Sequence, residues 1–252
     1  MRGGTNTYGL ALQVQHPVQS GAREPPATPF THTSMKIQAL AIPFLSLVCA
    51  LPLACKATEG HDRAESTADR VVDVGAAAGQ TQLHLDKTLD ALAQLEATRN
   101  QDPKPAYKDF AGSYDNFASE LATLVKRRDS LRTTAESWFS EYEKQNRSIQ
   151  DEDLRKTGEK RLSGFREQIA DTSKQVDEIL KNANAVDGRL KDLHTYLSND
   201  LTPDGIDAVS GRISDLSKDG RKVAARLGDL SKSSETLAGK LRAARKPAQP
   251  AQ

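Results

Sequence analysis

The amino-acid sequence predicts an all-α protein, an elongated antiparallel four-helix bundle whose long helices pack as in a coiled coil. Apolar residues recur at a spacing of seven, which is typical of helices that pack along their length and which a strand cannot use. Turn-forming segments divide the chain into four such stretches. Charged residues make up 27% of the chain and aromatic residues 5%, as expected for solvated helical faces around a narrow apolar core.

The N-terminal region is predicted to contribute nothing to the bundle. Residues 1–34 are polar, rich in proline and without an apolar period, so we interpret them as disordered or as a mis-called extension upstream of a true start at Met35. Residues 35–54 form a predicted signal peptide, in which one positive charge precedes an apolar run. That run has about sixteen residues where a stable transmembrane helix needs roughly twenty, and Pro43 and Pro52 interrupt it. We therefore expect export.

Cys55 is the predicted attachment point of a lipid anchor. Residues 51–55 resemble a bacterial lipobox, in which a small residue, here Ala54, precedes a cysteine that is lipidated on its thiol and becomes the mature N-terminus. Lys56 is compatible with sorting to the outer membrane, because an Asp after the cysteine is the usual signal for retention at the inner membrane. We expect a periplasmic protein that is anchored at the outer membrane.

The alternative is ordinary cleavage after Ala50, Ala54 or Ala57, which leaves a soluble periplasmic or secreted form. The chain contains two cysteines, Cys49 and Cys55, and both lie within or beside the predicted signal peptide. The predicted bundle therefore has no disulfide framework and no cysteine-based metal site.

The first two helices follow a predicted linker over residues 55–64. We predict one helix over about 65–98 and a second over about 106–146, because two prolines within residues 100–105 interrupt the helical backbone between them. The apolar line of each helix is here called its seam, and Arg128 is an irregularity in the second seam. The first seam comprises Val71, Val74, Ala78, Leu85, Leu92 and Leu95, and the second comprises Phe110, Tyr114, Phe117, Leu121, Leu124, Leu131, Ala135, Trp138 and Tyr142.

The third helix, predicted over about 152–197, carries the most regular seam. Ser148, Asp151 and Asp153 are candidate N-caps at its start, where acidic side chains also favour the positive end of the helix dipole. Its seam has two lines, which are Leu162, Ile169, Val176, Ala183, Leu190 and Leu197, and Phe165, Thr172, Ile179, Val186 and Leu193.

The fourth helix is predicted over about 203–244, because Thr202 is a suitable N-cap and Pro203 suits the first helical position. The bundle then covers residues 65–245, and residues 246–252 form a predicted disordered tail. Short connections make successive helices antiparallel neighbours. The fourth seam comprises Ile206, Val209, Ile213, Leu216, Val223, Leu227, Leu230, Leu237 and Leu241.

The charge balance argues against nucleic acid as a partner. When Arg2, Arg23, Lys36 and Glu24 are left out of the totals of 35 bases and 34 acids, the part from residue 56 onward carries 32 bases and 33 acids. We expect contacts with an envelope protein or self-association through coiled-coil faces, and contact with the membrane through the lipid anchor alone.

Side chains suited to catalysis or metal binding are sparse and scattered. His61, His84 and His194 are not arranged as Glu-x-x-His or with a second histidine four residues away, so we interpret them as solvated or flanking residues. Gly239 and Lys240 lack the remaining glycine, the Ser or Thr and the preceding strand of a phosphate-binding loop. We predict no cofactor, no metal and no enzymatic activity.

The most distinctive local cluster contains Trp138, Phe139 and Tyr142 within residues 136–143. Two interpretations are open. The three rings form an aromatic plug at the far end of the bundle, or they form a patch that binds a partner.

Several short motifs occur together in an order that resembles the DUF2959 family. They are Asp69-Arg70-Val71, Trp138-Phe139 with Glu141-Tyr142-Glu143, Leu154-Arg155, residues 162–166 and Leu197-Ser198-Asn199-Asp200-Leu201. The resemblance extends over about residues 65–240. It implies an exported bacterial protein, often with a lipobox, and it supplies no established activity or site residues.

The expected function is that of a non-enzymatic envelope lipoprotein, which acts as a structural spacer or adaptor through coiled-coil contacts. One alternative is a membrane-active or pore-forming helical protein, which would need a second long apolar stretch after Cys55. The other is an enzyme whose site is buried between helices and has no recognisable motif.

Overall fold

The computed structural model describes the backbone of residues 56–243 and the side chains of residues 62–243. Within these residues the chain forms four α-helices and no strand, so the all-α prediction is confirmed. The predictions for residues 1–34, the signal peptide and the terminal tail, and the lipidation of Cys55, lie outside the described residues. The helices are α1 (Lys56–Ala97), α2 (Lys104–Arg147), α3 (Glu152–Asn199) and α4 (Pro203–Ala243).

The largest difference from the predicted boundaries is at the start of α1. This helix includes Lys56, the first described residue, so residues 56–64 are helical where a linker was predicted. They carry no clear apolar stripe, which is why the periodicity did not include them. Once a long helix has nucleated, each further turn costs little in the absence of proline, so the helix extends through them.

Local hydrogen bonds define the beginnings of α3 and α4 as predicted. The carboxylate of Asp151 accepts hydrogen bonds from the backbone N–H groups of Asp153 and Leu154, at 2.9 and 3.0 Å. The hydroxyl of Thr202 accepts one from the backbone N–H of Gly205, at 3.0 Å. Each of these side chains accepts hydrogen bonds from backbone N–H groups of the first turn, which have no acceptor within the helix.

The four helices form a square, antiparallel arrangement. α1 and α3 each contact α2 and α4, while the two diagonal pairs make no close backbone approach within the described residues. The square is uneven, because α1 comes much closer to its two neighbours than α3 does.

Small residues on facing positions explain the close approach of α1 and α4. A Cβ atom on Gly75 would lie 2.8 Å from the Cβ atom of Ser234, and one on Gly220 would lie 2.7 Å from a methyl group of Leu89. These distances leave no space for a side chain, so glycine permits the backbones to pack closely. The seam of α3 consists instead of larger aliphatic residues, which hold their neighbours farther away.

The predicted seams form the core. In the first, second and fourth seams and the first line of the third, all members are buried except Tyr142, which is partly buried. In the second line of the third seam, Phe165 and Thr172 are partly buried. Arg128 retains 21% of its side-chain exposure and pairs with Asp129 at 2.7 Å and with Asp177 on α3. Its charge is therefore compensated at the edge of the core.

Candidate functional site

The predicted aromatic cluster lies between α2 and α3, toward the end of the bundle where α1 begins. The ring of Trp138 lies 5.2 Å from that of Phe139 and 5.5 Å from that of Phe165 on α3, measured between centroids. Trp138 is 4% exposed and Phe139 7%, and Tyr142 is partly buried against the core. Such burial is what an aromatic plug requires.

Arg166 covers the outer face of this cluster. Its guanidinium carbon lies 5.0 Å above the centroid of the Phe139 ring, which is a cation–π arrangement. The same guanidinium donates a hydrogen bond to the carboxylate of Glu143, at 2.8 Å. α2 and α3 are therefore linked at this level by an ion pair above the buried rings.

A cavity of about 630 Å³, here called the α2–α3 groove, opens beside the cluster. The groove exists because the distance between α3 and α2 is greater than the distance between α1 and α2. Ala135, Phe139, Ile169 and Ala170 provide its apolar surface, so Phe139 belongs both to the buried cluster and to the groove. Its charged edges contain Arg132, Glu136, Arg166, Lys174, Asp177, Glu178 and Lys181.

A second series of cavities, of about 270 to 300 Å³ each, follows the boundary of α3 and α4. Arg189 crosses this boundary and donates a hydrogen bond to the carboxylate of Asp219, at 2.9 Å. This bond, together with one from Lys222, holds the pKa of Asp219 below its usual range. The carboxylate therefore stays ionised at neutral pH and is poorly suited to proton transfer.

His194 packs among aromatic rings at the opposite end of the bundle. It stacks on Tyr107 at 5.7 Å with an interplanar angle of 18°, and it lies 5.7 Å from Tyr114 and 6.2 Å from Phe110. Burial, followed by the negative charge of Asp187, raises the pKa of Tyr114 to about 12. The sequence analysis interpreted His194 as a solvated or flanking residue, and the structure places it, partly buried, among aromatic side chains of α2.

The other predicted histidines have different positions. His84 is partly buried on α1 and its Nδ1 atom has no hydrogen-bond partner in the structure, whereas the side chain of His61 lies outside the described residues. In the described part of the chain, no group of three or more His, Cys, Asp or Glu side chains is placed to hold a metal ion. Over the same residues, none of the helices combines the length and the apolar character needed to cross a bilayer.

Asn146 is a structurally important residue that the sequence analysis missed. Its side chain is buried, and its amide donates a hydrogen bond to the backbone carbonyl of Arg155 at 3.0 Å. The side chain occupies the space where a Cβ atom of residue 158 would lie, which Gly158 leaves free. The available signal was that Asn146 lies one helical turn after Tyr142, so that a polar residue continues the seam of α2.

The family model of DUF2959, described as a protein of unknown function, matches residues 54–239. The chain belongs to the DUF2959 family. The match begins just before Cys55 and extends across α1, α2, α3 and most of α4, so the DUF2959 region and the helical bundle coincide. No curated protein and no solved structure matches the chain.

Proposed function

We propose that this DUF2959 protein is an exported bacterial lipoprotein, anchored at the outer membrane through Cys55, that acts in the envelope as a non-enzymatic spacer or adaptor. Family membership and the helical bundle provide the framework for this proposal.

The observation that carries the proposal is that the chain is already helical at Lys56, the first described residue, which directly follows the cysteine of the lipobox-like segment. A continuous helix from that point makes a direct mechanical connection between an anchored residue and the bundle. With 48 residues at 1.5 Å each, α3 is about 72 Å long. A bundle of this length would place its distal end far from the membrane.

The surface supports an adaptor role in particular. The seams are used within the bundle, so coiled-coil pairing through them would require the core to open. The α2–α3 groove instead combines an apolar surface with edges of both charges. This combination suits a helical or extended protein segment better than a nucleic acid, whose recognition needs a basic surface.

Two measurements test the proposal. Mass spectrometry of the membrane fraction is expected to find a mature N-terminus at Cys55 that carries a lipid, and the variant Cys55→Ala is expected to leave that fraction. A photo-crosslinking residue at Ala170, in the α2–α3 groove, is expected to capture an envelope protein in intact cells, whereas one at Ala93, exposed on α1, is the matched control.

An unmodified soluble protein that begins after Ala50, Ala54 or Ala57 would contradict the lipid anchor but would still agree with export. Equal crosslinking from positions Ala170 and Ala93 would contradict the proposal that the α2–α3 groove is the adaptor surface.

A further inference from the structure

The connection between α2 and α3 exposes two large apolar side chains. In the described part of the chain, Leu154 is the most exposed large apolar side chain, at 61%. Leu83, Tyr196 and Ile149 follow, at 36 to 45%. Ile149 and Leu154 lie within residues 147–156, here called the α2–α3 tip. Two of the four exposed apolar residues therefore share one end of the bundle.

The exposure of Leu154 belongs to an ordered turn. Asp151 accepts a hydrogen bond from the backbone N–H of Leu154, and Asn146 donates one to the carbonyl of Arg155. The backbone N–H of Ile149 bonds to the carbonyl of Asn146, at 3.2 Å. These contacts hold the α2–α3 tip in one conformation, with Leu154 directed outward.

The α2–α3 tip lies at the end of the bundle where α1 begins. Arg127 of α2 pairs with Asp73 of α1 at 3.2 Å, which shows that these two residues lie opposite each other in the antiparallel pair. At 1.5 Å per residue, Lys56 lies about 25 Å from Asp73 along α1, and Arg147 lies about 30 Å from Arg127 along α2. The α2–α3 tip and the first described residues of α1 therefore lie at about the same level, at one end of the bundle.

The charges of the α2–α3 tip cancel. Lys156 pairs with Glu152 at 2.7 Å, and the acidic side chain of Asp151 is engaged as the N-cap of α3. A contact made by the tip would depend on apolar burial rather than on attraction to a charged surface. The three bases are Arg147, Arg155 and Lys156, and the three acids are Asp151, Glu152 and Asp153.

We infer that the α2–α3 tip is a membrane contact, in which Ile149 and Leu154 enter the interfacial layer of the bilayer that holds Cys55. This inference rests on the proposed lipid anchor and adds a second point of attachment to it. One covalent lipid leaves the bundle free to tilt about a single residue. A second contact formed by apolar side chains at the same end would restrict its orientation, because their burial in the interface is favourable.

The test uses the full chain, expressed in bacteria so that export and lipidation proceed. It is reconstituted into phosphatidylcholine vesicles with and without anionic lipid. The variants Leu154→Cys and Ile149→Cys carry an environment-sensitive fluorophore, with Leu83→Cys and Tyr196→Cys as exposed controls away from the tip. Circular dichroism checks that each labelled variant stays helical, and mass spectrometry verifies that the thiol of Cys55 is blocked by lipid.

Labels at positions 149 and 154 are expected to shift to shorter wavelength, to brighten several-fold and to be quenched by brominated lipid. Labels at positions 83 and 196 are expected to remain in a water-like environment. Equal responses at all four positions would overturn the inference. A shift at position 154 in the unlipidated Cys55→Ala protein, before vesicles are added, would also overturn it, in favour of contact between two copies of the chain. So would a shift that requires anionic lipid and disappears in salt, since the tip carries no net charge.

Failure of the anchor and failure of the tip contact are distinguishable. If Cys55 carries no lipid, the proposed function fails, and the soluble protein, labelled in a Cys55→Ala background, is added to the same vesicles. A shift at position 154 would then sustain the tip contact without the anchor, and the lack of a shift would overturn it. If Cys55 is lipidated and the label at position 154 stays in water, only the tip contact is wrong.

Discussion

Replacement of Gly75 by alanine is expected to separate α1 from α4. The new methyl group would lie 2.8 Å from the Cβ atom of Ser234 and 3.1 Å from the backbone carbonyl oxygen of Ser231. The carbonyl belongs to the α4 backbone, so relief of the contact requires the helix itself to move. Gly112 on α2 is the matched control, because a Cβ atom there would have nothing within 4 Å.

The two substitutions share one energetic contribution and differ in another. Both replace glycine in the interior of a long helix, so both gain about 0.8 to 1 kcal/mol from helix propensity. Gly75→Ala alone adds volume to a closed interface, which typically costs about 1 to 3 kcal/mol. The difference in unfolding free energy between the variants is therefore about 1 to 3 kcal/mol, since the propensity contribution cancels. At about 2 to 4 °C per kcal/mol, the melting temperatures should differ by about 2 to 12 °C.

Thermal and urea unfolding, followed by circular dichroism at 222 nm, measure this difference. Gly112→Ala is expected to melt at or above the temperature of the unmodified protein, and Gly75→Ala clearly below Gly112→Ala. If the two variants gain stability equally, the close packing of α1 on α4 is wrong. The small residues would then no longer explain the uneven square of helices.

Three further predictions concern the core, a helix cap and a titrating residue. Val176→Asp would place a charge at a fully buried position and should lower the free energy of unfolding by several kcal/mol. Lys174→Asp, on the exposed side of α3, should change the free energy of unfolding by less than about 0.5 kcal/mol. Equal midpoints of urea unfolding for the two variants would contradict the assignment of Val176 to the seam. Asp151→Ala should lower the free energy of unfolding by about 0.5 to 2 kcal/mol. Asp151→Asn should retain most of that stability, because asparagine also caps helices. If urea unfolding shows no loss of stability for Asp151→Ala, the cap does not contribute to stability. The pKa of Tyr114 is about 12 in the folded protein against 10.0 for the free side chain, so the unfolded chain loses its proton first and stability should fall as the pH rises from 10 to 12. Tyr114→Phe should show a smaller loss over that interval in urea titrations, and identical slopes would argue against the burial of this hydroxyl.

Features that depend on neighbouring residues in the chain were predictable. The seven-residue period correctly identified the buried seams, because residues at that spacing lie on one face of a helix, whatever that face packs against. The caps at Asp151 and Thr202 were predictable because each hydrogen bond joins residues two or three apart. The helical state of residues 56–64 was not predictable, since these residues extend the helix without an apolar stripe.

The candidate site was only partly predictable. Trp138, Phe139 and Tyr142 were identified as a cluster from their spacing on one helix. Their partner Phe165 and the covering Arg166 come from α3, and no local pattern indicates which residues of another helix lie opposite.

The sequence by itself determined four amphipathic helices, their connections and their antiparallel order, because periodicity, caps and short turns act over a few residues. The tertiary structure decided how closely each pair of helices packs. Gly75 and Ser234 are distant in the chain and meet only in the bundle, where their small size draws α1 against α4. The wider spacing of α3 opens the α2–α3 groove, and the antiparallel register brings Leu154 to the end where α1 begins. Those positions depend on contacts between distant residues, which no local pattern contains.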